Sequence, residues 1–554
     1  MTKYRGNPWV VLIVVSLGFF MTLLDLTIVN IAIPNMITRL HASLDGILWV
    51  INSYALVLAV LVITAGRLGD LRGQRRLFII GVALFTAASA ACGLSPNVGW
   101  LIAFRSVQGV GAALLMPQTL ALLTMVFPPA RRGAAFGIWG AVAGLATIAG
   151  PTLGGLLVTA FDWRYIFFIN VPIGVAVIAL TLALIPDLRT GTEHTLDLPG
   201  VLLASLALLA ICYGLVEGQR YNWGHIASFL SIPLVIGVGV VLLALFLFVQ
   251  ARTQEREPLV PFALFRDRNF ALMNWVMGAV AVGIMGIFLP FTIYLQSALG
   301  FSALKAGLTM APASVVSMFV APVAGRLTDK IGGKYILMGG LLAFAAGMGL
   351  TAAIATVTST WQDFLPSLVL AGAGMGCTFA PLTTTAMQGV RPQVAGAASG
   401  VLNTVRQVGA VIGTAAVGAL LQNRMAVALL ASARAHAGAL PRPFRARFVA
   451  RFANVGQNGA SVGAGQSHVK LPPGTPASAA ARLEHVGHLT FSSGYVTAMH
   501  LTMIMPIVIL AVAALSCLAV KRVPGSAAAA GGPGESAERA PGAAAQPEAS
   551  QAPA

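Results

Sequence analysis

Fourteen apolar stretches follow one another along this chain, each 20 residues or longer, and they constrain the fold more than any other feature. They run roughly over residues 9–34, 46–66, 76–95, 98–127, 134–159, 163–186, 198–217, 226–250, 270–295, 303–325, 334–357, 362–388, 395–422 and 499–521. Runs of that length match the hydrocarbon thickness of a bilayer crossed by a helix, and they are too long for the strands of a barrel. The expected class is therefore an all-α polytopic membrane protein with 14 spans. Only 9% of its residues are charged, and the formal net charge of +17 would suggest nucleic acid if the basic residues formed one patch. They do not, because they fall in short loops on alternate sides of the spans. With an even number of spans both termini share a side. Twenty Lys and Arg then fall in the segments on that side, against Arg39, Arg164, Arg220 and Lys305 in the short loops opposite. The positive-inside rule makes the termini cytoplasmic in a cell (inner or plasma) membrane.

A second feature divides the chain. Gly66-Arg67-Leu68-Gly69-Asp70 reappears as Gly325-Arg326-Leu327-Thr328-Asp329, displaced by 259 residues. Carried further without a gap, that displacement pairs Arg132 with Arg391, Gly137 with Gly396, Gly150 with Gly409 and Gly154 with Gly413. The reading is two six-helix bundles, a pseudo-repeat, with two extra central transmembrane helices between them. The expected domains are 1–186 (first bundle), 187–268 (two linker spans and a cytoplasmic loop), 269–522 (second bundle, with a long extracytoplasmic loop at 423–498) and 523–554. The last is an Ala/Gly/Pro/Glu-rich cytoplasmic tail of disordered composition. Repeated bundles with a substrate site between them near mid-membrane are the build of alternating-access transporters.

Ionisable residues deep in apolar runs mark function by default. Asp25 is the one carboxylate so placed, a proton or cation site unless Thr27 or Asn30 merely satisfies it within the packing. Arg105 and Arg406 are the two deep cations. Arg105 requires a carboxylate, with Asp25 the natural partner, or else backbone carbonyls. Arg406 can reach a substrate or a neighbouring helix. Glu217 closes the seventh span as a transport residue or a solvated interfacial acid. Around the first loop, Gly66, Asp70, Arg72, Gly73, Arg75 and Arg76 form a charged knot, and Asp329 is its repeat. Gly150, Pro151, Gly154 and Gly155 put small residues at helix-crossing spacing. Asn30, Gln108 and Asn403 are polar candidates for lining a cavity. Cys92, Cys212, Cys377 and Cys517 form no C-x-x-C pair, so no metal site is expected. No G-x-x-x-x-G-K-[ST] or H-E-x-x-H motif occurs, and no soluble segment is large enough for a nucleotide domain, so an enzyme or ATP-driven pump is not expected.

Several of these stretches carry a family resemblance. Gly66 to Arg76 resembles the loop signature of the major facilitator superfamily, and Arg105-Ser106-Val107-Gln108-Gly109-Val110-Gly111 resembles its fourth-span motif. Gly150-Pro151-Thr152-Leu153-Gly154-Gly155 is similar to the superfamily's exporter motif. Leu24 to Pro34, Trp163 to Pro172 and Asn403 to Gly409 look like the fourteen-span drug:proton antiporters. The resemblance implies a monomeric secondary exporter of small amphipathic or hydrophobic compounds (drug or antibiotic efflux), driven by protons through Asp25 and Arg105 with no cofactor. It also implies that Asp70 meets a helix terminus or basic group of the other half when the inner gate is shut. The alternative is export or import of a defined metabolite such as a siderophore or amino acid, with sodium as a possible coupling ion. The partners expected are a small-molecule substrate, protons and lipid, not nucleic acid.

Overall fold

A computed structural model describes residues 6–40, 44–187, 197–218, 221, 223–226, 230–254, 258–440, 442–457 and 477–521. With no water in the bilayer to satisfy backbone amides, each span closes its own hydrogen bonds as a helix. The first bundle comprises α1 (Pro8–Leu40), α2 (Leu44–Arg72), α3 (Gln74–Gly93), α4 (Val98–Val126), α5 (Arg132–Ala160) and α6 (Asn170–Leu184). Two central helices follow, α7 (Leu198–Glu217) and α8 (Ile232–Arg252). The second bundle holds α9 (Arg268–Ile293), α10 (Ala303–Ile331), α11 (Lys334–Ile354), α12 (Leu365–Met387), α13 (Ala395–His436) and α15 (Ala477–Ser516), with α14 (Arg442–Gln457) between the last two. Side-chain caps set several starts: Asn97 accepts from the Trp100 amide at 3.1 Å, and Ser302 accepts from that of Lys305 at 3.2 Å.

Thirteen helices among the described residues are long and apolar enough to cross a membrane. The remaining helix at an expected span, α5, has 29 residues with one charge, Arg132, at its first position. The all-helical polytopic architecture is thus the one the apolar runs imply. α7 and α8 pack chiefly on each other, and α7 also on α2 and α13, outside the two bundles.

Two expectations need correction. Residues 423–498, expected as a loop, are helical at both ends: α13 has 42 residues and α15 has 40. At about 1.5 Å per residue each helix is roughly 60 Å long, twice a bilayer core of about 30 Å. Their polar composition past the span reads as loop by hydropathy, yet α14 packs against α13, and Phe448 is buried in a cluster with Ala433, Leu440, Leu483 and Val486. Residues 458–476 and the tail 523–554 lie outside the described residues.

The repeat also changes register partway. In α2 and α3 the displacement of 259 holds: a side chain on Gly111 would strike Phe85 and Gly81, and one on Gly374 would strike Phe344 and Gly340. In α4 and α5, however, the equivalent residues lie 263 apart, as 111 to 374 shows. Gly133 and Gly137 lie against Gly325, while Gly396 and Gly400 lie against Gly66. The gap-free pairings of Arg132 with Arg391, Gly137 with Gly396, Gly150 with Gly409 and Gly154 with Gly413 are therefore one helical turn out. The extra residues are accommodated in the connection 355–364, longer than its counterpart 94–97. Small residues repeating every four positions make a one-turn slip look like a match.

Candidate functional site

The described geometry places Asp25, on α1, with no exposed surface, at the centre of a hydrogen-bonded cluster. Its Oδ2 accepts the short ion pair from Arg105 Nη1 on α4. Its Oδ1 accepts from Gln108 Nε2 at 3.0 Å and from Asn170 Nδ2 of α6 at 3.4 Å. Arg105 donates through Nε to the Val50 carbonyl at 3.1 Å and through Nη1 to Gln108 Oε1 at 2.8 Å. Its guanidinium lies 4.3 Å from the centre of the Tyr54 ring. Arg105 and Gln108 share one face because they stand three residues apart on a helix. Both alternatives foreseen for Arg105 are realised together, a carboxylate and a backbone carbonyl. Thr27 does not satisfy Asp25; its hydroxyl donates to the carbonyls of Leu23, Leu24 and Ala146.

Five helices (α1, α2, α3, α4 and α6) supply this cluster, and two members, Asn170 and Ser89, were not singled out as site residues from the sequence. Asn170 donates at 3.1 Å to Ser89, which in turn donates at 2.9 Å to the Phe167 carbonyl. The available signal was a polar residue inside a span, two positions before Pro172. Gln108, a cavity candidate, is instead fully buried in the cluster. Asn403 is buried and donates to the Ser399 carbonyl of its own helix at 3.0 Å. The side chains of Asn30 and Pro151 lie outside the described residues. Glu217 is buried at the last residue of α7, whose main neighbours are α8, α2 and α13 rather than α1 or α4.

A second set of contacts joins the halves at the loop end. Asp70 Oδ1 accepts from the Gly396 amide at 2.8 Å and Oδ2 from the Ala397 amide at 2.7 Å. Asp329 repeats this on the amides of Gly133 and Ala134, at 2.8 and 2.9 Å. Each carboxylate thus caps the positive N-terminus of a helix in the other half, α13 for Asp70 and α5 for Asp329. Gln74 Nε2 donates to Asp70 Oδ1 at 3.0 Å. Gly66 lies so near α13 that a Cβ would fall 2.5 Å from the Gly396 oxygen. Gly73 turns the chain into α3 at φ 95°. Arg132 crosses the interface too, donating to the Met387 carbonyl at 3.3 Å and to that of Thr124 at 2.8 Å. Arg72 and Arg76 are exposed, whereas Arg75 reaches the Leu182 carbonyl at 3.0 Å.

Gly150 packs on α1, where a Cβ would strike the Thr27 hydroxyl. Gly155 meets nothing closer than Leu304 at 3.8 Å, so of these two glycines Gly150 makes the tight contact.

Two repeated helical bundles, a charged cluster within one of them and reciprocal carboxylate caps between them are the architecture of a membrane transporter. The chain belongs to the Major Facilitator Superfamily, whose profile matches residues 15–414. It is 36% identical over 411 residues to the multidrug resistance protein Stp of Mycobacterium tuberculosis, covering 74% of this chain and 75% of that protein. It is 36% identical over 429 residues to the tetracenomycin C resistance and export protein of Streptomyces glaucescens, covering 76% and 77%. Among solved structures it is similar in fold to the proton:xylose symporter XylE, with TM-score 0.53, 13% identity, and 74% of this chain and 88% of that one covered. The human organic anion transporter MFSD10 gives TM-score 0.53 at 12% identity, covering 91% and 99%.

Proposed function

We propose that this transporter exports small amphipathic or hydrophobic compounds, of the drug or antibiotic type, in exchange for protons entering the cell. The observation that carries the reading is the burial of Asp25 with its carboxylate oxygens engaged by Arg105, Gln108 and Asn170. An ion pair in hydrocarbon is balanced only while both charges persist. Protonation of Asp25 removes the negative charge and frees Arg105 from the carboxylate, leaving its Nη1 on the Gln108 oxygen and its Nε on the Val50 carbonyl. That is a two-state element a proton can bias. The resistance and export proteins among its relatives support the direction and the cargo class.

The capped helix ends at the loop face supply the gate. With Asp70 on α13 and Asp329 on α5, the halves are held together on the side the basic loops assign to the cytoplasm, with both termini there and α14 outside. Opening that side requires both caps to break. One chain contributes both halves, so it acts as a monomer.

The test is gradient-driven movement of a lipophilic dye in inverted vesicles, for the wild type and Asp25→Asn. Movement that needs the pH gradient, ignores sodium and disappears in the variant is the expected result. Unchanged movement in the variant removes Asp25 from coupling. No movement of any dye by the wild type points instead to a narrow metabolite carrier.

A further inference from the structure

The second deep cation, Arg406, has no such neutral arrangement. Its Nη2 lies 3.5 Å from the Met116 thioether of α4, a weak acceptor. Its Nε is buried without a hydrogen-bond partner, and among the described residues no carboxylate pairs with it. A guanidinium held this way is costly unless something completes it.

Its position shows where that partner would come from. Along α13 every residue from Ala395 to Thr404 is buried, in the stretch that meets α2 and α4 at the closed end. From Val405 to Val408 all four residues gain exposed surface, Arg406 among them. The tight interface between the halves therefore parts at Arg406, which stands at the floor of the opening. Its neighbours there are apolar: Val405 and Val408 flank it on α13, and Met116 of α4 faces it from the first half. The floor of the opening is thus a cation set among apolar side chains.

We infer that Arg406 is a cargo-binding residue, and that the preferred cargo is an amphipathic organic acid: an apolar, commonly aromatic body bearing a carboxylate or an acidic phenol. This rests on the export reading above and narrows it. A neutral compound would leave the guanidinium incomplete, and a cationic one would be repelled. A planar fork of donors suits a carboxylate better than a point charge does.

The experiment measures binding to the purified full chain of 1-pyrenebutyrate and its uncharged amide, by pyrene fluorescence, with Arg406→Gln and Arg406→Lys alongside. The wild type should bind the acid at least about tenfold more tightly than the amide. Arg406→Gln should remove that preference and leave amide binding within about twofold; Arg406→Lys should retain most of it. Equal affinity of the wild type for acid and amide overturns the inference, as does an Arg406→Gln effect of the same size on both probes. Amide binding controls for folding of the variant. The same probes in inverted vesicles separate this inference from the export reading. Acid-selective binding without gradient-driven movement defeats export and leaves Arg406 as an acid site. Movement of both probes with no charge preference keeps export and defeats the acid site.

Discussion

The two halves share a scaffold and differ in chemistry at the same place. In the first half α4 carries Arg105 and Gln108 beside Tyr54 of α2 and Phe85 of α3. Their counterparts, by the glycine contacts that align the bundles, are Leu368, Ala371, Ala313 and Phe344. α9, the counterpart of α1, has no charged residue after Arg268. Where the first half buries an ion pair, the second has a small cavity of about 20 Å³ lined by Leu368, Ala371, Ala313, Phe344 and their neighbours. The contacts that must survive duplication are steric: Gly109 on Tyr54 matches Gly372 on Ala313, and Gly111 on Phe85 matches Gly374 on Phe344. Backbone proximity at those crossings fixes the helix arrangement, so the side chains between them were free to specialise. One half carries a charge pair neutral within itself. The other carries a lone cation, Arg406, aligned with Ala143 of the first half.

The largest effect expected is from unbalancing the first site. Asp25→Ala should cost about 3–5 kcal/mol of stability by stranding Arg105 in a dry interior. Adding Arg105→Leu and Gln108→Ala, which copies the second half, should recover most of it while transport stays absent. Thermal unfolding in detergent reads this, and a well-tolerated Asp25→Ala would show that the pair is not the unit described here. Next is the reverse graft. Leu368→Arg puts an unpaired cation into the apolar site and should destabilise by about 3 kcal/mol on the same assay.

Smaller is the asymmetry of the two carboxylate caps. Asp70 is buried at 5% exposure, while Asp329 is partly exposed, so solvent replaces the lost bonds more readily at Asp329. Hydrogen bonds to a charged group contribute about 1.5–3 kcal/mol each. Maleimide labelling of Ser399→Cys, a position buried against the Pro117 carbonyl, should therefore accelerate more with Asp70→Asn than with Asp329→Asn. Equal acceleration would mean the two caps open as one. The smallest effect belongs to Ala371→Val, which fills part of the second-half cavity and should shift stability by less than about 1 kcal/mol with dye movement unchanged. A large loss of movement would give that cavity a part in transport.

What could be read along the chain was whatever depends on counting. Span length against bilayer thickness gave the helices, the isolation of Asp25 and Arg105 in apolar runs marked the pair, and the repeated Gly-Arg-Leu-x-Asp disclosed the duplication. These follow from solvation, which acts on each segment by itself. The repeat's register in α12 and α13 was not readable, because glycines four apart align equally well one turn out of step. Nor was the helical continuation of α13 and α15, whose polar residues resemble a loop until α14 packs on them. Asn170 joined Asp25 only because α6 folds beside α1, and Gln108 turned into the cluster rather than toward a cavity. The sequence by itself determined a duplicated bundle of membrane helices with one acid, Asp25, and two bases, Arg105 and Arg406, set deep in its apolar runs. Tertiary packing alone decided that one base is neutralised and the other is not, since a buried charge is balanced by what lies across a helix interface, at a distance no sequence spacing records.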